Sequence, residues 1–111
     1  MAGSFVIEKG SAGAFRFNLR AGNNEIILSS ETYKNKAGAL TGIESVRANS
    51  QDDARFDRRT AKDGSPYFVL TAKNGEIIGK SEMYSSERAR DNGIKSVVAN
   101  APGAKLVDKT A

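Results

Sequence analysis

The sequence predicts an α+β fold in which two tandem β-β-β-α repeats form one antiparallel sheet, with two helices packed on one face. Three observations support this prediction. The chain repeats itself at a distance of 51 residues, apolar residues alternate with period two in hairpin-like segments, and the period becomes helical once in each repeat. With 111 residues, the chain is long enough for one domain with a shared core.

The internal repeat is visible without gaps. Residues 17–49 align with residues 68–100, and 16 of the 33 aligned positions are identical. A repeat of about 50 residues with three strands and one helix buries little core by itself, so we expect the two copies to pack side by side. The sequence therefore predicts a single domain over residues 1–111. It consists of repeat one (about 5–50), repeat two (about 56–101) and a closing strand (about 105–108).

Each repeat contains three strand-like segments. The period-two alternation at 15–20 and 67–72 predicts half-buried strands, because alternate side chains of a strand face opposite sides. Gly and Asn residues then predict tight turns that lead to returning strands at 25–29 and 76–80. Shorter strands are predicted at 5–9 and 56–60. Residues 105–108 occupy the equivalent place after repeat two.

A helical period follows each hairpin. Asn35 and Ser86 stand at matching positions and are good N-cap residues, so we predict that a helix begins after each of them. The helices are predicted to end at Asn49 and Asn100, in the left-handed conformation that asparagine tolerates at helix ends.

Glycine and tyrosine recur at equivalent places around the helices. Gly42 and Gly93 stand in mid-helix, where glycine costs about 1 kcal/mol relative to alanine, and this predicts a close approach of helix to sheet. Tyr33 and Tyr84 precede the helices, each two residues after a glutamate. We interpret them as closing the hydrophobic layer, and a paired Glu–Tyr ligand site is the alternative.

Composition narrows the possible chemistry. The chain contains no histidine and no cysteine, which excludes imidazole catalysis, thiol nucleophiles, disulfides and the usual zinc and iron–sulfur ligation. We therefore predict a non-enzymatic protein without cofactor or metal, although carboxylate or Ser-Lys chemistry stays formally open. Apolar runs are too short for a signal peptide or a membrane helix, so we expect a cytoplasmic protein without membrane association.

Strand alternation sorts the side chains between the two faces of the predicted sheet. The set assigned to the helix-covered face is Phe5, Phe15, Phe17, Leu19, Ile26, Leu28, Phe56, Phe68, Leu70, Ile77 and Val107. The apolar set assigned to the open face is Val6, Ile27, Tyr67, Val69, Ile78 and Leu106. Exposed apolar patches commonly mark partner surfaces. The leading hypothesis is therefore an interaction module that uses the open face, or a sheet edge, for a protein partner or self-association. A mixed, solvated face is the alternative.

The net charge of +4 and the pI of about 9.5 raise a second hypothesis, weak electrostatic binding of nucleic acid. Its candidate patch is Arg55, Arg58, Arg59 and Lys62, the densest run of cations in the chain. Elsewhere charges balance. The alternation puts five cations (Arg16, Arg20, Arg55, Arg59 and Lys80) beside five carboxylates (Glu8, Glu25, Asp57, Glu76 and Asp108) on the open face. Since phosphate binding needs clustered cations, nucleic acid is the less favoured partner.

One set of motifs resembles a known family. Glu31-x-Tyr33, Lys36-Ala37, Gly42-Ile43-x-Ser45-Val46 and Ala48-Asn49-Ser50, which return in degraded form from Glu82 to Asn100, resemble the YegP-like family, as does the opening Met1-Ala2-Gly3. These are small bacterial proteins without an established function. The resemblance covers nearly the whole chain. It implies one continuous sheet in which the terminal strand of each unit is exchanged onto its neighbour, and it brings no catalytic residues. In repeat two, Glu87-Arg88-Ala89 replaces Lys36-Ala37-Gly38, so a role for the Lys-Ala pair is not implied in both halves.

Overall fold

The computed structural model describes residues 3–10 and 12–110. Within them the chain forms β1 (Ser4–Lys9), β2 (Phe15–Arg20), β3 (Ile26–Ser29), α1 (Lys36–Asn49), β4 (Phe56–Thr60), β5 (Pro66–Thr71), β6 (Ile77–Lys80), α2 (Glu87–Asn100) and β7 (Lys105–Lys109), with one turn of 3-10 helix at Asp53–Arg55. The predicted fold class and element order are confirmed, and each boundary lies within one residue of its prediction. Met1 and Ala2, part of the family-like opening, lie outside the described residues.

The strands form one sheet in the order β4-β5-β6-β3-β2-β1-β7. The two repeats meet in its centre, where antiparallel β3 and β6 share a single register pair, Ser29 with Lys80. The predicted exchange of terminal strands is present at one edge, where β7 leaves repeat two and pairs with β1 of repeat one. At the other edge β4 pairs with β5 of its own repeat.

One strand pair departs from the predicted antiparallel arrangement. β7 runs parallel to β1, whereas the other neighbouring strands of the sheet, over the described residues, are antiparallel. A helix, α2, delivers the chain to β7, so no tight hairpin forces the direction to reverse. The Lys105 N–H donates to the Gly3 carbonyl, 3.2 Å away, and β1 and β7 therefore begin at the same end of the sheet.

The two helices join the repeats through one hydrophobic core. α1 packs on β2 and on β5 and β6 of the other repeat, and α2 packs on β5 and on β3 of the other repeat. The predicted N-caps are present, since Asn35 Oδ1 accepts from the Gly38 N–H at 2.7 Å and Ser86 Oγ from the Ala89 N–H at 3.1 Å. A single cluster of buried side chains includes residues from both helices and from the six strands β1 to β6.

The predicted left-handed ends of the helices are wrong. Asn49 and Asn100 are the last helical residues, but the chain continues in right-handed geometry, and among non-glycine residues in the described ranges only Asn24 has a positive φ. Each asparagine instead donates from its side-chain amide to a carbonyl four residues earlier, that of Ser45 at 2.9 Å or of Ser96 at 2.8 Å. The side chain thus satisfies a carbonyl group near the helix end.

Gly42 and Gly93 make room for the two duplicated tyrosines. A Cβ atom on Gly42 would lie 2.5 Å from the Tyr33 hydroxyl oxygen, and one on Gly93 would lie 2.3 Å from that of Tyr84. Each tyrosine ring stacks on the phenylalanine of its own repeat, with centroids 6.1 and 6.2 Å apart. The close approach predicted from the glycines is present, with the tyrosine ring lodged against the helix. Burial, and secondarily nearby glutamates, raise the pKa of both tyrosines.

A β-bulge in each repeat overturns part of the predicted face assignment. β3 carries one residue more than the stretch of β2 opposite it, and Ile27 is the extra residue; β6 has the same irregularity at Ile78. Ile27 and Ile78 therefore pack in the core, while Ile26 and Ile77 lie on the open face. The predicted positions of these four residues are wrong, because a bulge shifts the alternation of side chains by one position.

The assignment of β7 is also reversed. Leu106 lies opposite Phe5 on the helix-covered side, and Val107 lies opposite Val6 on the open face. Asp108 is likewise on the helix-covered side, where the Lys36 ammonium group donates a hydrogen bond to it. The register of β7 is set by backbone pairing with a strand about one hundred residues away, which local alternation does not reveal.

Candidate functional site

The helix-free side of the sheet, called the open face below, is neither uniformly apolar nor uniformly charged. Its central row of cross-strand neighbours runs Asp57, Val69, Lys80, Ser29, Asn18, Val6 and Val107 from one edge to the other. Two of the three valines in this row, Val6 and Val69, are only 3% and 2% exposed. The expected broad apolar patch is therefore absent over the described residues, and a narrower feature takes its place.

That feature is a groove of about 500 Å³ along the junction of β3 and β6, called the seam groove below. Its apolar lining is Ile26, Leu28, Tyr67, Val69 and Ile77, and its polar rim includes Arg59, Lys80, Glu31 and Glu82. The groove forms here because β3 and β6 meet at a single register pair and then diverge. Gly79 also lines it.

Two serines bond the backbone of the neighbouring strand of their own repeat, directly after β3 and β6 end. Ser30 Oγ accepts from the Phe17 N–H at 2.9 Å and donates to the Glu31 carbonyl at 2.7 Å. In repeat two, Ser81 makes the same pair of contacts with Phe68 and Glu82, at 3.0 and 2.8 Å. The serine and the tyrosine of the duplicated Ser-Glu-x-Tyr segment thus have structural roles in both repeats.

Two cations lie at the apolar part of the seam groove. The Lys80 ammonium group is 5.2 Å from the centroid of the Tyr67 ring, within the range of a cation–π contact. Arg59 Nε donates to the Asp57 carboxylate at 2.8 Å, and hydrogen bonds with Asp57 and then Tyr67 raise the pKa of its guanidinium. The aromatic ring is therefore held between positive charges, one of which is already paired.

A second groove of about 310 Å³ continues across the strands of repeat one and is called the arginine groove below. Arg16, Arg20, Asn18 and Glu8 line it, and it shares Ile26, Ser29 and Ser30 with the seam groove. Arg20 Nε donates to Asn18 Oδ1 at 3.0 Å. Among ion pairs between described residues, none includes Arg16, Arg20 or Lys80. These cations are available to an external anion.

The basic segment singled out from the sequence does not form one surface. Arg58 and Arg59 lie opposite Phe68 and Tyr67 and therefore leave opposite faces of β4, while Lys62 lies in the following turn. The three arginines are ion-paired: Arg55 with Asp52 at 3.2 Å, Arg58 with Asp91 at 3.2 Å and with Asp53 at 3.6 Å, and Arg59 with Asp57. The interpretation of Arg55, Arg58, Arg59 and Lys62 as a single patch is wrong, because Arg58 and Arg59 leave opposite faces of β4 and aspartates pair with all three arginines.

The predicted apolar surface is only partly brought together. The structure places two of its six residues, Tyr67 and Val69, in the seam groove. The full predicted set was Val6, Ile27, Tyr67, Val69, Ile78 and Leu106. Val6 is buried on distant β1, the two isoleucines are in the core, and Leu106 is on the other side of the sheet. Arg16 and Arg20 lie on this face as predicted, and the sequence does not indicate that they form no ion pair with a described carboxylate. Only spatial pairing reveals it.

The first helical residue differs between the repeats, and the difference has a structural cause: it is Lys36 in repeat one and Glu87 in repeat two. Lys36 ties the first turn of α1 to β7 through Asp108, and hydrogen bonds from Lys36 and then Thr110 hold the pKa of that carboxyl well below its usual range. On the side of repeat two, β4 is the edge of the sheet, and no strand equivalent to β7 lies beyond it among the described residues. A lysine at position 87 would therefore have no strand residue equivalent to Asp108 to pair with.

Residues 3–10 and 12–110 contain no group of three or more acidic side chains placed to hold a metal ion. In the same ranges, neither helix is long and apolar enough to cross a membrane. The architecture defines a class of two-repeat α+β proteins, in which a seven-stranded sheet carries helices on one face and leaves the other open.

The chain belongs to the family described as "Domain of unknown function (DUF1508)", whose model matches residues 11–57 and 61–108, one match for each repeat. A UPF0339 protein of Bordetella pertussis is 61% identical over 110 residues, which cover 99% of this chain and 98% of that protein. The solution NMR structure of YegP from Escherichia coli has a TM-score of 0.94 at 47% identity and covers 100% of this chain and 96% of its own. The solution NMR structure of a UPF0339 protein from Shewanella oneidensis has a TM-score of 0.93 at 51% identity. The match covers 99% of this chain and 93% of that one. The YegP-like resemblance is confirmed, and these relatives carry no assigned function.

Proposed function

We propose that this protein is a non-enzymatic binding module and that it binds a segment of a protein partner on the open face, at the seam between the repeats. The seam groove carries the proposal, because it places an aromatic and an aliphatic floor on the face that the helices leave uncovered. Its volume of about 500 Å³ lies within the range of sites that hold a small ligand or a few side chains. We place this activity in the cytoplasm, the compartment expected from the sequence.

The face is a better binding surface than the sheet edges. Edge strand β4 carries Asp57, Arg58 and Arg59 in succession. Edge strand β7 begins and ends with lysine and contains Asp108. Charged side chains on an edge disfavour the addition of a further strand, since their charges would have to be desolvated or paired. We therefore favour docking on the open face over strand addition.

The size of the apolar surface favours a short segment over a second copy of the chain. A stable interface of standard size covers about 800 Å² on each partner and has an apolar centre. Within the described part of the chain, the exposed large apolar residues are Ile26, Met83, Val98 and Leu106, and they lie on separate elements or connections. Only Ile26 among them lines the seam groove, which accommodates a few inserted side chains. We therefore expect a monomer that captures a peptide segment.

The experiment compares pull-downs from a bacterial lysate with two variants that exchange residues between the repeats. Tyr67→Arg with Val69→Asn installs the residues that repeat one carries at the equivalent positions. Val98→Arg makes the same kind of exchange on the outer side of α2, with Arg47 as its equivalent, and serves as control. We expect wild type and control to retain the same proteins and the double variant to lose them. Equal retention by all three folded proteins would contradict the proposal, as would a concentration-dependent dimer in analytical ultracentrifugation.

The nucleic-acid alternative has its own readout. Titration of the isotopically labelled protein with a single-stranded oligonucleotide at low salt would shift amide resonances of residues 55–62 if that segment were the site, and added salt would reverse the shifts. Because its arginines are already paired with aspartates, we expect no such localised response. A salt-sensitive response confined to that segment would favour the alternative over peptide binding.

A further inference from the structure

The two repeats have kept the same core and have diverged on the open face. On the helix-covered side, Phe17 and Leu19 of β2 are matched by Phe68 and Leu70 of β5. On the open side of the same strands, the equivalent pairs are Arg16 and Tyr67, Asn18 and Val69, and Arg20 and Thr71. Packing against helices restricts the first set, whereas the second set is free to acquire different chemistry in each repeat.

The divergence makes the open face asymmetric. Its repeat-two half is the seam groove with an apolar floor, and its repeat-one half is the arginine groove. The grooves share Ile26 and Ser29, so one ligand can occupy both. Lys80 is the cross-strand neighbour of Ser29 and lies at the boundary. An apolar surface therefore adjoins a positively charged one without a barrier.

The carboxylates on this face favour one orientation of a negatively charged ligand. Glu31 and Glu82 both line the seam groove, and neither lines the arginine groove. Glu8 is the acidic residue among the lining of the arginine groove, beside two arginines that have no carboxylate partner among the described residues. Lys80 and Arg59 offset the two glutamates of the seam groove, whereas two arginines face one glutamate in the arginine groove. An anionic group is thus attracted more strongly to the arginine groove than to the apolar half.

We propose that the partner segment is an extended acidic peptide with one large apolar residue in the seam groove and one acidic residue over Arg16 and Arg20. This inference rests on the proposed function and adds the chemistry of the partner. β5, which carries Tyr67, and β2, which carries the two arginines, are separated by three strand spacings, or about 14 Å across the sheet. An extended peptide covers about 3.3 Å per residue, so the acidic residue lies about four positions from the apolar anchor.

Selection of a random peptide library displayed on phage tests this chemistry with the whole chain as bait. Peptides are selected on the wild type and depleted on the Tyr67→Arg, Val69→Asn double variant. We expect enrichment of sequences that combine an aromatic or large aliphatic residue with Asp or Glu about four positions away. Failure to enrich any peptide that depends on the groove would contradict the proposed function itself. Enrichment of groove-dependent peptides without acidic residues would leave the proposed function standing and overturn this inference.

A second measurement isolates the contribution of the arginine groove. A fluorescent synthetic copy of an enriched peptide is titrated by anisotropy against Arg16→Gln with Arg20→Thr, the latter introducing the residue that repeat two carries there. The control, Lys62→Gln with Lys73→Gln, removes two charges from exposed turns of the same chain. We expect the dissociation constant to rise at least tenfold in the first variant and less than about twofold in the control. We also expect added salt to weaken binding mainly in the wild type and in the control.

Two outcomes would overturn the inference. Equal losses in the arginine variant and in the lysine control would show that overall charge alone attracts the peptide. Unchanged affinity in the arginine variant would show that the arginines do not contact it. A labelled oligothymidine is tested in parallel; if it bound more tightly than the peptide and depended on Arg16 and Arg20, the face would be assigned to single-stranded nucleic acid and peptide recognition rejected.

Discussion

Gly42 offers a direct test of how α1 packs on the sheet. A methyl group at this position would place its carbon 2.5 Å from the Tyr33 hydroxyl oxygen and 2.9 Å from Cε2 of Phe17. Phe17 is 2% exposed and belongs to the core, so it has little room to move away. Gly38, one turn earlier on the same helix, would meet no atom closer than 3.3 Å. Gly42→Ala and Gly38→Ala therefore form a matched pair.

The pair separates the steric cost from the helix propensity. Replacing glycine by alanine within a helix contributes about 1 kcal/mol of stability where space permits, and this term is common to both variants. Overpacking a filled site typically costs about 1–3 kcal/mol. We expect Gly42→Ala to have a free energy of unfolding about 1–3 kcal/mol below that of Gly38→Ala. For a chain of this size this corresponds to a Tm difference of roughly 5–20 °C.

The assay is urea and thermal unfolding followed by far-ultraviolet circular dichroism on the wild type and both variants. Tyr33→Phe removes the atom nearest to the new methyl group, so it should restore part of the loss in the Gly42→Ala background, with a coupling of about 0.5 kcal/mol or more. If Gly42→Ala proved as stable as Gly38→Ala, the argument that the glycine is needed for the tyrosine ring would be refuted.

Three further predictions concern charge, the central seam and cooperativity. The pKa of Asp108 is lower in the folded protein than in the unfolded chain, where it is about 4. Its ion pair therefore stabilises the folded protein above that pH, and the stabilisation is lost as the pH falls towards the pKa of the folded state. Asp108→Asn should therefore flatten the decline of stability below about pH 5 in urea titrations, and an unchanged decline would contradict that role. A Cβ on Gly79 would lie 2.6 Å from Leu28 Cδ2, so Gly79→Ala should cost about 1–3 kcal/mol alone and little in a Leu28→Ala background; additive free energies in that double-mutant cycle would refute the contact. Calorimetry should give one transition because both helices bridge the repeats, whereas two resolved melts would show that each repeat folds alone.

Local sequence patterns predicted the elements and their order, because each depends on neighbouring residues. Asn35 and Ser86 cap the helices as expected, since an N-cap contact joins residues three apart. The consecutive isoleucines at the start of β3 and β6 were ambiguous. Either member can face the core, and only the bulge opposite β2 or β5 decides which. A doubled isoleucine after a hairpin turn, present in both repeats, was the one available sign of that bulge.

The candidate site was predictable only in part. Tyr67 and Val69 were assigned to the open face correctly, because β5 alternates regularly until it reaches the bulge at its last residues. The arginines of the basic segment pair with three aspartates near them in sequence and with Asp91, which lies on α2, 33 residues from Arg58. No reading of neighbouring charges along the chain reveals such a partner.

The sequence by itself determined the duplication, the class of fold, the strands and helices and the exclusion of histidine and cysteine chemistry. These follow from residue identity and from periods of two and about 3.6 residues, which are properties of short stretches of chain. Only the tertiary structure decided the parallel attachment of β7, the faces reached by the isoleucines, the opening of the seam groove and the cations that stay unpaired. Each of these depends on which distant backbone or side chain lies opposite a residue, and that is set when the whole sheet assembles.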